Sequence, residues 1–294
     1  MMRRHEEPPV AMNASDLRDA DLGRLSRALE RDEDGIWRAG ALQALSFPEE
    51  GHDACFRLED DSFWFAHRNA CITKALLRHG ALGLLLDIGG GNGAVSHALE
   101  QAGIETVLLE PAPQGARNAR RRGLRNVVCA TMQNAQFESA SFSAAGAFDV
   151  IEHVEDDEAL VRETHRVLRP GGVLCITVPA FPWLWSAEDD LAGHHRRYTL
   201  GRLRAALSRC SFDVRYETYL FAPLTVPLFL LRSLRHRLHE RTATAVEEGA
   251  EEQHLTSPIV RRAVDALLAP ELRRIGAGRG MPFGTSCLVV ATKR

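Results

Sequence analysis

Apolar residues along the chain fall into short runs, and between the runs they recur every three or four positions. Leu84–Leu86 is unbroken, the pattern of a strand buried on both faces of a parallel sheet. Strands are predicted near 84–88, 105–110, 126–130, 142–148, 172–178, 212–219 and 286–292. Helical spacing covers Phe63–Arg78, about Ala94 to Ala102 and about Glu158 to Leu168. Asp60-Asp61-Ser62 can cap the first of these, and Gly171-Gly172 after Arg169-Pro170 stops the last. The alternation predicts an α/β fold, a doubly wound seven-stranded sheet that is mainly parallel.

The flanks read differently. Residues 1–14 are predicted disordered, and 15–45 helical, because Leu17, Leu22, Leu25 and Leu29 recur among many charges. Residues 1–59 therefore form an N-terminal extension, partly disordered and helical, ahead of one domain over 60–294. Residues 179–199 are loop-rich. A helical insertion at about 221–280 precedes the last strand, with helices at about 223–240 and 256–275 joined by the acidic EEGAEEQ. Its apolar stretch Leu220–Leu231 holds twelve residues with two prolines, too short to span a bilayer. Arg232, Arg235 and Arg237 follow. A buried insertion or homodimer contact is the main reading there, with peripheral membrane contact as the alternative.

Apolar residues at 45 % and charged residues at 26 % are ordinary for a soluble globular protein. A net charge of −3 argues against a nucleic-acid partner, and the Arg117–Arg125 cluster is short. The six cysteines are scattered with no C-x-x-C pair, as in reduced proteins. MMRRHEEPPV has no apolar core of a signal peptide, so a cytoplasmic location is expected.

The chemistry starts at LLLDIGGGNG, residues 84–93. Gly89, Gly90, Gly91 and Gly93 let the backbone turn sharply and approach a ligand without Cβ obstruction. The helix that follows points its amide-rich N-terminus at that ligand. Glu110 closes the next strand, twenty-three residues after Asp87, where a carboxylate can accept hydrogen bonds from two ribose hydroxyls. A dinucleotide fingerprint, with glycines at positions one, three and six, is matched in its looser form by Gly89, Gly91 and Ala94, which keeps an NAD(P) enzyme as a rival. The pattern D-x-G-x-G-x-G, with Asp87, Gly89, Gly91 and Gly93, fits better.

That pattern, followed in order by Glu110, FDVIEHVEDD and VLRPGGVLCITVP, resembles the class I S-adenosylmethionine (SAM)-dependent methyltransferases, bacterial type 11/12-like members in particular. The likeness covers about residues 60–220 and the last strand. It implies SAM as cofactor, with Asp87 near the methionine amino group and Gly89, Gly91 and Gly93 around the tail. Glu110 and Pro111 would lie at the ribose, with Phe148 also in the cofactor site. Thr131, Met132 and Gln133 sit where the family wraps adenine; Thr131 stands in place of the usual acid, and Gln133 or Asn134 would bond the exocyclic amine. No Asn-Pro-Pro-Tyr-type motif follows the fourth strand, which disfavours methylation of base amines or glutamine amides.

Asp149, Glu152 and His153 form D-x-x-E-H, similar to the E-x-x-E-H of ubiquinone-pathway O-methyltransferases and small-RNA 2′-O-methyltransferases. In those families the acids and the histidine bind a divalent metal beside the acceptor hydroxyl. Positions i, i+3 and i+4 of a helical turn share a face, and a metal there would stabilise the alkoxide. The resemblance thus implies a Mg or Zn site at Asp149, Glu152 and His153, with His194 or His195 of GHHRRYT as a fourth ligand. Asp149 has a shorter reach than the family's Glu. A general base at His153, aided by Glu152 and His195, and a plain packing role are the two other readings. Beyond the fifth strand, Trp183 and Trp185 can stack on a flat acceptor, and Arg196 and Arg197 can pair with a carboxylate or phosphate. Phe63-Trp64-Phe65 and Arg68 resemble a stretch of a bacterial subset in which this helix covers cofactor or acceptor. The expected function is methylation of a small-molecule acceptor at oxygen; a macromolecular or lipid-linked acceptor and a non-catalytic SAM-binding protein are the rivals.

Overall fold

The structure is a computed structural model that describes residues 22–39, 49–81, 83–234, 236 and 258–294. Its strands are β1 Glu30–Arg31, β2 Trp37–Arg38, β3 Leu85–Ile88, β4 Thr106–Leu109, β5 Val127–Cys129, β6 Phe142–Phe148, β7 Leu168–Pro179, β8 Phe212–Leu220 and β9 Ser286–Lys293. Its α-helices are α1 Leu22–Leu25, α2 Glu49–Glu59, α3 Phe63–Arg78, α4 Ala94–Gln101, α5 Pro113–Arg121, α6 Met132–Ala135, α7 Asp157–Val167, α8 Ala187–Ala192, α9 Leu200–Arg209, α10 Thr225–Leu228 and α11 Pro258–Gly276.

One sheet joins all the strands in the order β1-β2-β5-β4-β3-β6-β7-β9-β8. The seven expected strands are β3 to β9. β3 lies parallel to both β4 and β6, with Leu86 opposite Val107 and Ala145. β9 alone of these seven runs antiparallel, between β7 and β8. Period-two alternation sends Leu85 and Leu86 to opposite faces, into separate apolar cores. This topology brings the carboxyl ends of β3, β4, β6, β7 and β8, and the amino end of β9, to one edge. That edge is where open α/β sheets bind ligands.

The helix expected over 15–45 is not what forms in 22–39. α1 ends at Leu25, and β1 and β2 make a small hairpin whose second strand pairs parallel to β5, Trp37 opposite Val128. Local chemistry decides this. Asp32 accepts the Ile36 N–H at 2.8 Å and pairs with Arg38, while Gly35 takes φ +74°. Leu22, Leu25 and Leu29 are all buried, so their spacing reported an inward face, not a long helix. β7 also begins earlier than expected, at Leu168, because Arg169–Gly172 continues the strand around a register shift opposite Phe142–Ala144.

α3 starts where Ser62 caps it, its hydroxyl accepting the Trp64 N–H at 3.2 Å. α11 is fastened by a wholly buried carboxylate. Glu271 accepts the N–H groups of Phe221 (2.7 Å) and Ala222 (2.8 Å), and lies 2.9 Å from His67 Nε2 on α3. The expected helix at 223–240 is present as helical turns through Leu234. Residues 1–14, Leu17 and EEGAEEQ lie outside the described residues. Among the described residues no helix is long and apolar enough to cross a membrane.

Candidate active site

The turn after β3 is held by the strand beside it. Gly89 and Gly90 donate their N–H groups to Leu109 O at 2.7 and 3.2 Å, which draws the loop back over β4. Gly93 caps α4 at φ +82°, and a Cβ there would sit 2.5 Å from Leu124. Gly91, at φ +54°, faces open space, so a ligand can lie directly against its backbone. Its N–H donates to Glu110 at 2.8 Å, and Ala112 N–H donates to the other oxygen of Glu110 at 2.7 Å. Burial outweighs these bonds and pushes the Glu110 carboxyl up to about 7.

Asp87 accepts the Ser96 hydroxyl at 2.6 Å through one oxygen. Its other oxygen is buried without a hydrogen-bond partner, and burial pushes this carboxyl up to about 6. Arg68, on α3, pairs with Asp149 and leaves its buried Nε unpartnered. An acceptor that lacks a donor, with a donor that lacks an acceptor on the adjoining helix, suits the ammonium and carboxylate of an amino-acid tail. These features fit SAM.

The adenine-side residues are less engaged than expected. The Thr131 hydroxyl caps α6 by accepting Asn134 N–H at 3.1 Å, Met132 is buried, and Gln133 is exposed. Pro111 begins the turn into α5. Phe148 ends β6 and covers Gly146, where a Cβ would lie 2.3 Å from its ring.

On the acceptor side, β6 is followed by Asp149, at φ +59°, and then by one 3₁₀ turn, Ile151–His153. Asp149 is committed to Arg68 and to the Thr177 hydroxyl (3.1 Å), so it does not join the metal set suggested by its spacing. Glu152 is wholly buried, and neither of its carboxylate oxygens has a hydrogen-bond partner. Burial first, and Asp149 second, raise its carboxyl well above the usual range. Burial and the neighbouring His194 ring push His153 down to about 4. The His153 and His194 rings meet edge to face at 4.6 Å. One ligand atom each from Glu152, His153 and His194 all lie within 4.8 Å of one another. His195 uses its backbone N–H to bond Glu152 O at 2.8 Å and turns an exposed side chain outward.

A cavity of about 340 Å³ opens over this cluster, lined among others by Trp64, Leu184, Arg197, Leu228 and Ser286. Trp64 is backed by Phe221 in a parallel stack at 3.7 Å. Trp64 therefore supplies the flat wall expected of Trp183 or Trp185. Trp183 is 43 % exposed, and Trp185 donates its indole N–H to Asp190. Arg196 pairs with Asp157, and Arg197 makes a two-bond pair with Asp189. Both arginines are consumed within the protein. Sequence reasoning missed Asp189, although Ser186 and Asp189 carry the spacing of a capping box, which the structure contains.

Residues 86–176 match the family profile described as "Methyltransferase domain". Over those residues the chain thus carries a methyltransferase domain, and its fold is that of SAM-dependent methyltransferases. SAM is the cofactor of that family. The domain is 30 % identical over 99 residues to a ubiquinone biosynthesis O-methyltransferase of Xanthomonas oryzae pv. oryzae, which covers 32 % of this chain and 41 % of that protein. The chain thus spans about two fifths of the length of the first curated relatives it matches. It is 29 % identical to a malonyl-[acyl-carrier protein] O-methyltransferase of Enterobacter lignolyticus over 54 % of this chain and 68 % of that one. The methyltransferase fold is shared with a Thermotoga maritima structure described as "SAM-dependent methyltransferase, possible histamine N-methyltransferase". There the TM-score is 0.53 and the identity 17 %, over 83 % of this chain and 95 % of that one.

Proposed function

We propose that this protein transfers the methyl group of SAM to a hydroxyl of a small-molecule acceptor. The observation that carries the reading is Glu152, wholly buried with two unpartnered oxygens beside His153 and His194 at the floor of a cavity. Unpartnered buried carboxylates are costly and rare, and a hydroxyl that must lose its proton gives this one a use. Bound SAM supplies an electrophilic methyl on a sulfonium. The chain has then to align the acceptor with it and manage the acceptor's proton. Asp87 and Arg68 would hold the methionine tail, the Gly89–Gly93 turn and Glu110 the ribose, and Trp64 one face of the acceptor.

Glu152, His153 and His194 also fit a divalent cation, since the orphaned carboxylate calls for a positive partner. Two imidazoles and one carboxylate suit Zn²⁺ better than Mg²⁺. Such an ion would act there as a Lewis acid on the acceptor oxygen. Asp149 would take no part, because Arg68 holds it. O-methylation by the relatives named above supports oxygen as the acceptor atom.

A second reading, a lipid-linked acceptor, is favoured by one observation. Val226, Leu230 and Leu231 are 63, 53 and 57 % exposed on the segment that gives Leu228 to the cavity.

The test is to incubate the protein and methyl-labelled SAM with cell extract, with and without EDTA, and separate the products by class. The reading requires label in small molecules as a base-resistant ether. Label in the lipid fraction supports the second reading, and label only in protein or nucleic acid overturns both.

A further inference from the structure

Asp189 lies on α8, outside every motif that named the site, yet its side chain is completely buried. Four groups converge on it. His194 Nδ1 lies 2.8 Å from Oδ1, and Arg197 Nε donates to the same oxygen at 2.8 Å. On Oδ2, Arg197 donates a second bond at 2.8 Å and Ser186 N–H a third at 2.8 Å, with the Ser186 hydroxyl at 3.2 Å. Arg197 is itself fixed by donating to Ala180 O at 3.1 Å, at the end of β7. Both oxygens accept from Arg197, and Oδ2 also from a backbone N–H, which is the setting of a carboxylate that acts as an acceptor.

An ionised carboxylate can only accept, so the bond to His194 requires a proton on Nδ1. In the neutral ring that leaves Nε2 with its lone pair, able to accept a proton or ligate a cation, on the side away from Asp189. The same ring lines the cavity and meets His153 edge to face.

We propose that Asp189 is a positioning residue that fixes His194 as its Nδ1–H tautomer and presents Nε2 to the cavity beside Glu152 and His153. Arg197 and the Ser186 cap lock Asp189 in turn. The inference deepens the proposed function and, in its metal arm, rests on the reading of Glu152, His153 and His194 as a cation site. Carboxylates placed behind ligating histidines set both the tautomer and the ring orientation, and losing one typically weakens metal binding about 10- to 100-fold.

The test has two independent readouts on the full chain. The first is ¹⁵N NMR of histidine-labelled protein without metal, with the His194 signal assigned by its loss in His194→Gln. The expected result is the Nδ1–H form in the wild type, and a mixture or the opposite tautomer in Asp189→Asn, whose amide can donate to Nδ1. An Nε2–H form in the wild type overturns the proposal without any variant having to fold. The second readout is calorimetric titration with Zn²⁺ alone. Asp189→Asn should bind about 10- to 100-fold more weakly than the wild type, with unchanged SAM affinity, and Asp189→Glu should recover part of the loss. Equal Zn²⁺ affinity in wild type and Asp189→Asn overturns the metal arm. Nδ1–H in a wild type that binds no Zn²⁺ supports the tautomer and overturns the cation reading alone. If Asp189→Asn fails to fold, the wild-type tautomer decides the proposal by itself.

Discussion

Glu110 and Glu152 are both buried at the same sheet edge, and their surroundings are opposite. Glu110, after β4, accepts an N–H on each oxygen, from Gly91 and Ala112. Glu152, after β6, has a partner on neither. Both carboxyls are pushed upward by burial. Glu110 is thus part of the scaffold that shapes the glycine turn as well as a candidate ribose ligand. The Glu152 carboxylate makes no hydrogen bond within the protein. A buried polar group without a partner is a cost that folding alone would remove. It makes sense only if a ligand completes it. On the proposed assignment the glycine turn of the cofactor side is therefore preformed, and the acceptor side is left polar and incomplete.

The same substitution at both positions should break this pairing most sharply. Glu152→Met should lower methyl transfer about 100-fold or more while raising the stability of the ligand-free protein by about 1–3 kcal/mol, read from denaturant midpoints. Glu110→Met should instead destabilise by about 2–4 kcal/mol, since two buried N–H groups lose their acceptor. Two variants that shift stability in the same direction would remove the distinction.

Acidity gives a smaller effect with a definite sign. Glu110 rises from 4.5 to about 7 and Asp87 from 3.8 to about 6. Between the two values of each group the folded chain holds a proton that the unfolded chain has released. The contribution of these two groups to the stability of the ligand-free protein therefore falls as pH rises from about 4 to about 7, opposed in part by His153, which burial holds down to about 4, and the two add no further slope above that. Denaturation midpoints across that range should show the decline, and Glu110→Gln should flatten part of it. A rise over the same window would contradict the assignment.

The smallest effect belongs to the rim. Trp183→Ala should change stability by no more than about 0.5 kcal/mol, because the residue is 43 % exposed and its ring stands 5.3 Å from those of Phe181 and Phe229. A Tm drop well beyond that would place Trp183 in the packed wall of the site. A loss of transfer confined to vesicle-borne acceptors would favour the lipid-linked reading.

The contrast also explains what could be read from the chain. The glycine turn and the acids of the proposed cofactor side come from neighbouring segments, 84–93 and 106–112, whose fixed spacings made their meeting legible, whereas Arg68 comes from an earlier helix. The proposed acceptor side is assembled from Trp64, Glu152, Asp189, His194, Leu228 and Ser286, and spacing carries no record of such long-range meetings. D-x-x-E-H placed Glu152 and His153 correctly on one turn. It could not show that Arg68, eighty-one positions earlier, would claim Asp149. Nor could three consecutive acids, Glu188, Asp189 and Asp190, reveal that only the middle one turns inward. The β1–β2 hairpin escaped because two-residue strands of charged and aromatic residues leave no periodicity.

The most direct test of the divided edge is SAM titration by calorimetry on the wild type, Asp87→Asn and Glu152→Gln. SAM should bind the wild type and Glu152→Gln with nearly equal affinity, and bind Asp87→Asn about 10- to 100-fold more weakly, as expected for one lost charged hydrogen bond. Equal losses in both variants, or an undiminished affinity in Asp87→Asn, would contradict a cofactor side built separately from the acceptor side.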